Sequence, residues 1–128
     1  MARFLTPEWF DEARRLGADQ PPRAAASGRV QVVVSGGPDG DVKGSFTVED
    51  GRIVGAAVGD LPDAVLTMTL DYATAVEIQR GDLDPSVAFM QGRSKTTGDT
   101  GLLLQLLPVT RTDGYQAFQE KLRAVTEY

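Results

Sequence analysis

The sequence predicts an α+β domain, and three observations carry that expectation. Residues 29–58 alternate apolar and polar side chains with period two, broken by Gly- and Asp-containing turns. Helix start and stop signals bracket segments near both ends of the chain. Two further short strand patterns, at 64–70 and 93–98, interleave with helices in the second half. The 128 residues suit one domain, 1–128, large enough to bury a core without disulfide or metal support.

The first helix is expected over about 7–17. Thr6 can cap it, Pro7 suits its first position, and Leu5 can staple against Phe10. Glu8, Asp11 and Glu12 fall early, with Arg14 and Arg15 late, in the sense the helix dipole favours. Trp9, Phe10, Ala13 and Leu16 form its apolar stripe. The stretch "GADQPPRAAASG" reads as a connector, because Pro21-Pro22 cannot continue a helix.

The meander follows at about 29–58. Val30, Val32 and Val34 share one face of the first strand, and "GPDGD" turns the chain. In the second strand Val42, Phe46 and Val48 are in phase, opposite Lys43, Ser45, Thr47 and Glu49, and Asp50-Gly51 signals a tight hairpin into the third. A fourth strand, "AVLTMTL", puts Leu66, Met68 and Leu70 on one face. The remainder, about 64–126, is helical around one last strand. Asp71 caps a helix through Arg80, Asp84-Pro85 opens a short one stopped by Gly92, and "RSKTTG" is the fifth strand. Asp99 caps "TGLLLQLL", closed by Pro108, and Asp113 with Gln116 makes a capping-box start for the last helix. On that helix Tyr115, Phe118, Leu122 and Val125 fall near one face.

Composition excludes several chemistries. The chain contains neither Cys nor His, which removes disulfides, thiolate or imidazole metal sites, and the nucleophile relays built on them. A net charge of −5 disfavours nucleic acid and tight docking on anionic lipid. No run approaches the roughly 18 apolar residues of a membrane span, so stable membrane insertion is not expected. The first residues lack the apolar core of a secretory signal. A soluble, cytoplasmic protein without metal or cofactor is the expectation.

The carboxylates dissolve into structure. Asp71, Asp84, Asp99 and Asp113 each precede a helix, where a side-chain oxygen accepts from free backbone N–H groups. "GGPDGDVKG" lacks the Gly-Lys-Ser/Thr ending of a phosphate loop and joins two strands, so it reads as a hairpin. The apolar second half says more. Leu102, Leu103, Leu104, Leu106 and Leu107 make a helix apolar nearly all round, which is either plain core or the wall of an apolar space. Phe89, Met90 and Met68 add adaptable surface compatible with both.

Residues 81–107, "GDLDPSVAFMQGRSKTTGDTGLLLQLL", resemble the C-terminal half of the sterol carrier protein type two family. The resemblance rests on Gly81, Pro85, Ala88-Phe89-Met90, Gly92, Lys95, Gly98-Asp99 and Leu102 to Leu107. It is specific over about 61–107 and consistent in element order over the meander. It implies a five-stranded, mainly antiparallel sheet with helices packed on one face, and between them an apolar tunnel for sterols, fatty acids or acyl-CoA. No covalent chemistry is implied, in keeping with a chain lacking His and Cys. Carried onto matching positions, Phe89, Met90, Leu103, Leu106 and Leu107 would line the tunnel, with Met68, Leu70 and Val76 as further candidates.

Two departures matter. The fifth strand reads Arg93-Ser94-Lys95-Thr96-Thr97, so Ser94 and Thr96 stand where the family carries aliphatic residues. Either they place hydroxyls on the tunnel wall, and with them an amphiphilic guest or water, or they bond locally to backbone. The chain also carries a helix at each end, from which Trp9, Phe10, Tyr115 and Phe118 could form a lid or simply pack. The function expected is therefore non-catalytic binding of a hydrophobic or amphiphilic small molecule, with transfer as an extension. The alternative is an accessory module whose apolar groove receives a protein partner or assembles an oligomer. An enzyme is the least supported reading.

Overall fold

The computed structural model describes residues 2–17, 27–38, 40–50 and 52–127. The connector around Pro21-Pro22 and the turn residues Asp39 and Gly51 lie outside them. The elements follow in the order β1 (Ala2–Arg3), α1 (Pro7–Gly17), β2 (Gly28–Gly37), β3 (Gly40–Glu49), β4 (Arg52–Val58) and β5 (Leu66–Asp71). Then come α2 (Tyr72–Arg80), α3 (Pro85–Met90), β6 (Ser94–Gly98), α4 (Thr100–Val109), α5 (Asp113–Ala124) and β7 (Thr126–Glu127).

The main sheet has the order β4-β3-β2-β5-β6. β2, β3 and β4 form the expected antiparallel meander, and β5 then crosses to pair with β2 in parallel before β6 returns antiparallel to it. Register places Val30, Val32 and Val34 beside Leu66, Met68 and Leu70, so the two apolar faces merge into one. The helices cover that face. Gly44, opposite Val32, lies directly under the Phe10 ring, and any side chain there would collide with it. On the reverse face the Gln31 amide donates to the carbonyls of Gly44 (2.7 Å) and Gly59 (3.1 Å) and accepts from Leu61 N–H (2.5 Å). It thereby holds the β4–β5 connection against the sheet.

A two-residue parallel ladder, β1 with β7, ties the chain ends together through Ala2–Thr126 and Arg3–Glu127. Nothing in the local sequence pattern announces it. The Trp9 indole N–H donates to Thr126 Oγ1 at 3.0 Å, and that hydroxyl donates onward to the Leu122 carbonyl. An aromatic chain, buried at Phe4, Trp9 and Phe10 and half-buried at Phe46, continues from this clasp to the sheet, with successive centroids 5.0, 5.0 and 5.6 Å apart.

Three of the four Asp residues cap as expected. Asp71 accepts from Thr74 N–H (2.7 Å), Asp84 from Ser86 N–H (2.7 Å) and Asp99 from Leu102 N–H (3.0 Å). The fourth differs: Thr112 caps α5 by accepting from Tyr115 N–H, and Asp113 occupies the first helical position. Adjacent Thr and Asp are both good caps, so local pattern cannot choose between them. Gln116 reaches back to the Thr110 carbonyl instead of completing a box. Nor does Pro108 close α4; the helix runs one residue past it, to Val109. The carbonyl that the proline ring leaves unpaired belongs to Leu104, an exposed residue.

Capping also sets an acid limit. Hydrogen bonds from the Thr74 side chain and backbone hold the Asp71 carboxyl below its usual range. At Asp84 burial pushes upward, but the Ser86 N–H and the Arg111 guanidinium outweigh it, and the net shift is down. A carboxylate lowered in the folded state stabilises fully above its unfolded pKa, and that contribution is lost as pH falls through the folded value. The thermal midpoint should therefore fall below about pH 4. Asp71→Asn and Asp84→Asn, which keep a capping oxygen, should flatten the decline in a series of melts across pH.

Candidate functional site

The core is divided. One buried cluster gathers Phe4, Trp9, Phe10, Ala13, Val34 and Leu70 with Phe118 and Leu122 of α5. A second gathers Val30, Leu66, Leu102 and Leu103, with Phe89, Leu106 and Leu107 packed against it. Val32 touches both. Between them lies a cavity of about 240 Å³ whose wall draws on each cluster. Close-packed interiors of small domains leave few voids larger than a water molecule, so a space of this size is a built feature.

Its floor is the sheet: Val30, Val32 and Val34 of β2, Phe46 of β3, and Met68 and Leu70 of β5. These project together because alternate residues of paired strands share a face. Trp9, Phe10 and Ala13 of α1 close one side. Leu103, Leu106 and Leu107 of α4 close another, spaced by one helical turn. Ala75 and Gln79 of α2, with Tyr115, Phe118 and Gln119 of α5, complete the wall.

Among the described residues the polar side chains on this wall are Gln79, Thr110, Tyr115 and Gln119. The Thr110 hydroxyl is occupied, donating to the Leu107 carbonyl at 2.6 Å. The Gln119 amide donates to the Tyr115 hydroxyl at 2.8 Å. Burial pushes the Tyr115 phenol above its usual range, against the Gln119 hydrogen bond and the Arg123 charge, which pull it down. Arg123, one turn beyond Gln119, donates through Nε to the Gln79 carbonyl at 2.8 Å, joining α5 to α2 at this end. Gln79 and Gln119 were not among the residues expected from the sequence. The signal available was a polar residue one turn after Ala75 on the inward stripe of α2.

Of the residues the sequence nominated, the structure brings Met68, Leu70, Leu103, Leu106 and Leu107 to the cavity, together with Trp9, Phe10, Tyr115 and Phe118. Trp9 and Phe10 sit there as deeply buried wall residues. They are 4% and 1% exposed, and the Thr126 clasp anchors Trp9. Five nominated residues lie off the wall. Val76 is half-buried and packs against the first cluster, and Phe89 packs against the second. Met90 is 72% exposed, whereas Ala88 of the six-residue α3 is fully buried, at 0%, and Pro85 of the same helix reaches the cavity wall. Ser94 and Thr96 pair with Leu70 and Met68, hence share their face, but β6 is the sheet edge and the cavity ends short of it. Ser94 is buried with its hydroxyl unpartnered, whereas Thr96 is half-buried. Beside them Arg93 bonds the Thr74 hydroxyl at 3.2 Å and ion-pairs with Glu77.

Among the described residues no group of acidic side chains is placed to hold a metal ion, and no helix is long and apolar enough to cross a membrane.

Comparison with solved structures places the fold. Sterol carrier protein 2 superposes with a TM-score of 0.73 at 20% identity, covering 94% of this chain and 98% of that one. A conserved hypothetical protein of Thermus thermophilus gives 0.74 at 22%, with 100% and 93% covered. Palmitated sterol carrier protein 2-like 2 from Aedes aegypti gives 0.64 at 22%, with 82% and 94% covered. At such identities the likeness establishes the fold. Among curated proteins, none matches the sequence. The profile of the SCP-2 sterol transfer family matches residues 10–111, from within α1 through the meander to the end of α4. The chain belongs to the SCP-2 sterol transfer family.

Proposed function

We propose that this protein binds an amphiphile without covalent chemistry, enclosing its aliphatic chain in the cavity between sheet and helices. The observation that carries the proposal is the division of the core around an apolar void of about 240 Å³. Burial is worth about 0.8 kcal/mol per methylene, so ten methylenes supply roughly 8 kcal/mol before ordering and desolvation are subtracted. That suffices for measurable affinity with no charged contact. The volume lies under the roughly 300–1,000 Å³ common for drug-sized ligands, which favours one flexible chain over a rigid fused-ring skeleton. An Aedes aegypti relative described as palmitated supports an acyl or alkyl guest. Met68, Leu70, Leu103, Leu106 and Leu107 are assigned the chain contacts, with Trp9, Phe10, Tyr115 and Phe118 closing the ends.

Native mass spectrometry of gently purified protein, before and after extraction with organic solvent, tests this. A discrete adduct lost on extraction, and regained with an aliphatic ligand, is the expected result. Bare monomer that stays bare with fatty acid, acyl-CoA, alcohol and sterol would overturn it. A second reading, a module that docks a partner, draws on Met90 and Leu104, exposed at 72% and 66%. A bare dimer in the same experiment would favour it.

A further inference from the structure

We infer that Gln79, Tyr115 and Gln119 form a head-group site for an uncharged hydroxyl, so the guest is a neutral alcohol-headed lipid rather than an anionic one. The inference rests on the cavity being a ligand site. Among the described residues, three buried side-chain polar atoms lack a hydrogen-bond partner: Gln79 Nε2, Gln119 Oε1 and Ser94 Oγ. Two of the three belong to residues of the cavity wall. Gln79 is 6% exposed, too deep for bulk water to satisfy it. Unpartnered buried polar groups are costly and rare, and two on the wall of a single cavity, on helices joined by the Arg123–Gln79 hydrogen bond, point to a polar guest that completes them.

The chemistry of the three groups selects the head. Gln79 offers an N–H donor and Gln119 an acceptor. The Tyr115 oxygen already accepts from Gln119, so its own hydrogen remains to be donated. A hydroxyl, with one donor and two acceptor positions, answers all three. A carboxylate only accepts, and would set its charge against Gln119 Oε1. It would also be buried without a direct ionic partner, since no wall residue among the described ones is charged at neutral pH and Arg123, the cation felt at Tyr115, stands off the wall. The Arg123 Nε is engaged by the Gln79 carbonyl.

The test compares heads on a constant tail. Decanol, decanoate and undecane displace an environment-sensitive alkyl probe from the full chain at mildly alkaline pH, where decanoate is ionised. Decanol is expected to bind about tenfold tighter than decanoate. Gln79→Leu should weaken decanol by about tenfold while leaving undecane unchanged or tighter, and Tyr115→Phe should act the same way more weakly. The unfolding midpoint of ligand-free Gln79→Leu should hold or rise, because the substitution removes an unpaired donor. Decanoate binding as tightly as decanol would overturn the inference. So would a Gln79→Leu variant that loses decanol and undecane alike, which marks a structural role only. Sterols share the hydroxyl. A cholesterol arm separates the two sources, and binding sensitive to Gln79→Leu there keeps the head-group site while assigning a ring skeleton. If no aliphatic ligand binds, the cavity reading itself fails and this inference falls with it.

Discussion

Ala75→Phe is expected to weaken binding of any aliphatic ligand by about tenfold or more while the domain stays folded. Ala75 is 7% exposed, sits on α2 and forms part of the cavity wall. A phenyl group in place of its methyl occupies space that the guest would need. Overpacking a filled core costs about 1–3 kcal/mol, but filling an existing void adds buried apolar area at about 25 cal/mol per Å². The two terms oppose, so the thermal midpoint should move little or rise. Titration with an alkyl probe, beside a melt, measures both. Unchanged affinity in a folded variant would place the chain elsewhere on the protein.

Phe10→Ala should produce the largest loss of stability, about 3–5 kcal/mol. The ring is 1% exposed, stands edge-on to Trp9, tilts onto Phe46 and covers Gly44. No neighbour can fill its place, since α1 is pinned to the C-terminal segment through Trp9 and Thr126. Against the roughly 5–15 kcal/mol that holds a small domain, this leaves little margin. Because the lost ring also enlarges the cavity, ligand should restore part of the deficit. An aliphatic ligand at a hundredfold excess over its Kd returns about 2.7 kcal/mol. Denaturant unfolding with and without decanol reads both numbers, and no ligand dependence would separate Phe10 from the binding cavity.

The strands and helices were legible because their signals are local. Val30, Val32 and Val34 alternate, Asp71, Asp84 and Asp99 precede helices, and Gly81 ends α2 in the left-handed conformation (φ 83°). Where two local signals compete the pattern was insufficient, as at Thr112-Asp113, or at Pro108 in the last turn of α4. The candidate site was half legible. The alternation of β5 puts Met68 and Leu70 on one face, whereas α4 is apolar nearly all round and Leu103, Leu106 and Leu107 are assigned inward through the family resemblance. The six residues of α3 are too few to define a face, so Phe89 and Met90 could not be distinguished from Ala88. Ser94 and Thr96 do share the inner face, but no local feature of β6 marks where the cavity stops. Gln79 and Gln119 read as ordinary surface amides until α2 and α5 meet, a contact between residues some forty positions apart. The chain-end ladder is longer in range still, joining Ala2 to Thr126.

An aliphatic chain lying between β5 and α4 would bring its alkyl protons against the methyl groups of the cavity wall. Isotope-filtered NMR contacts between unlabelled decanol and the labelled methyl groups of the protein test this placement most directly. The expected result is contacts from the alkyl protons to Met68, Leu103 and Leu107. Contacts confined to the exposed Met90 and Leu104, with the cavity methyls unperturbed, would contradict it.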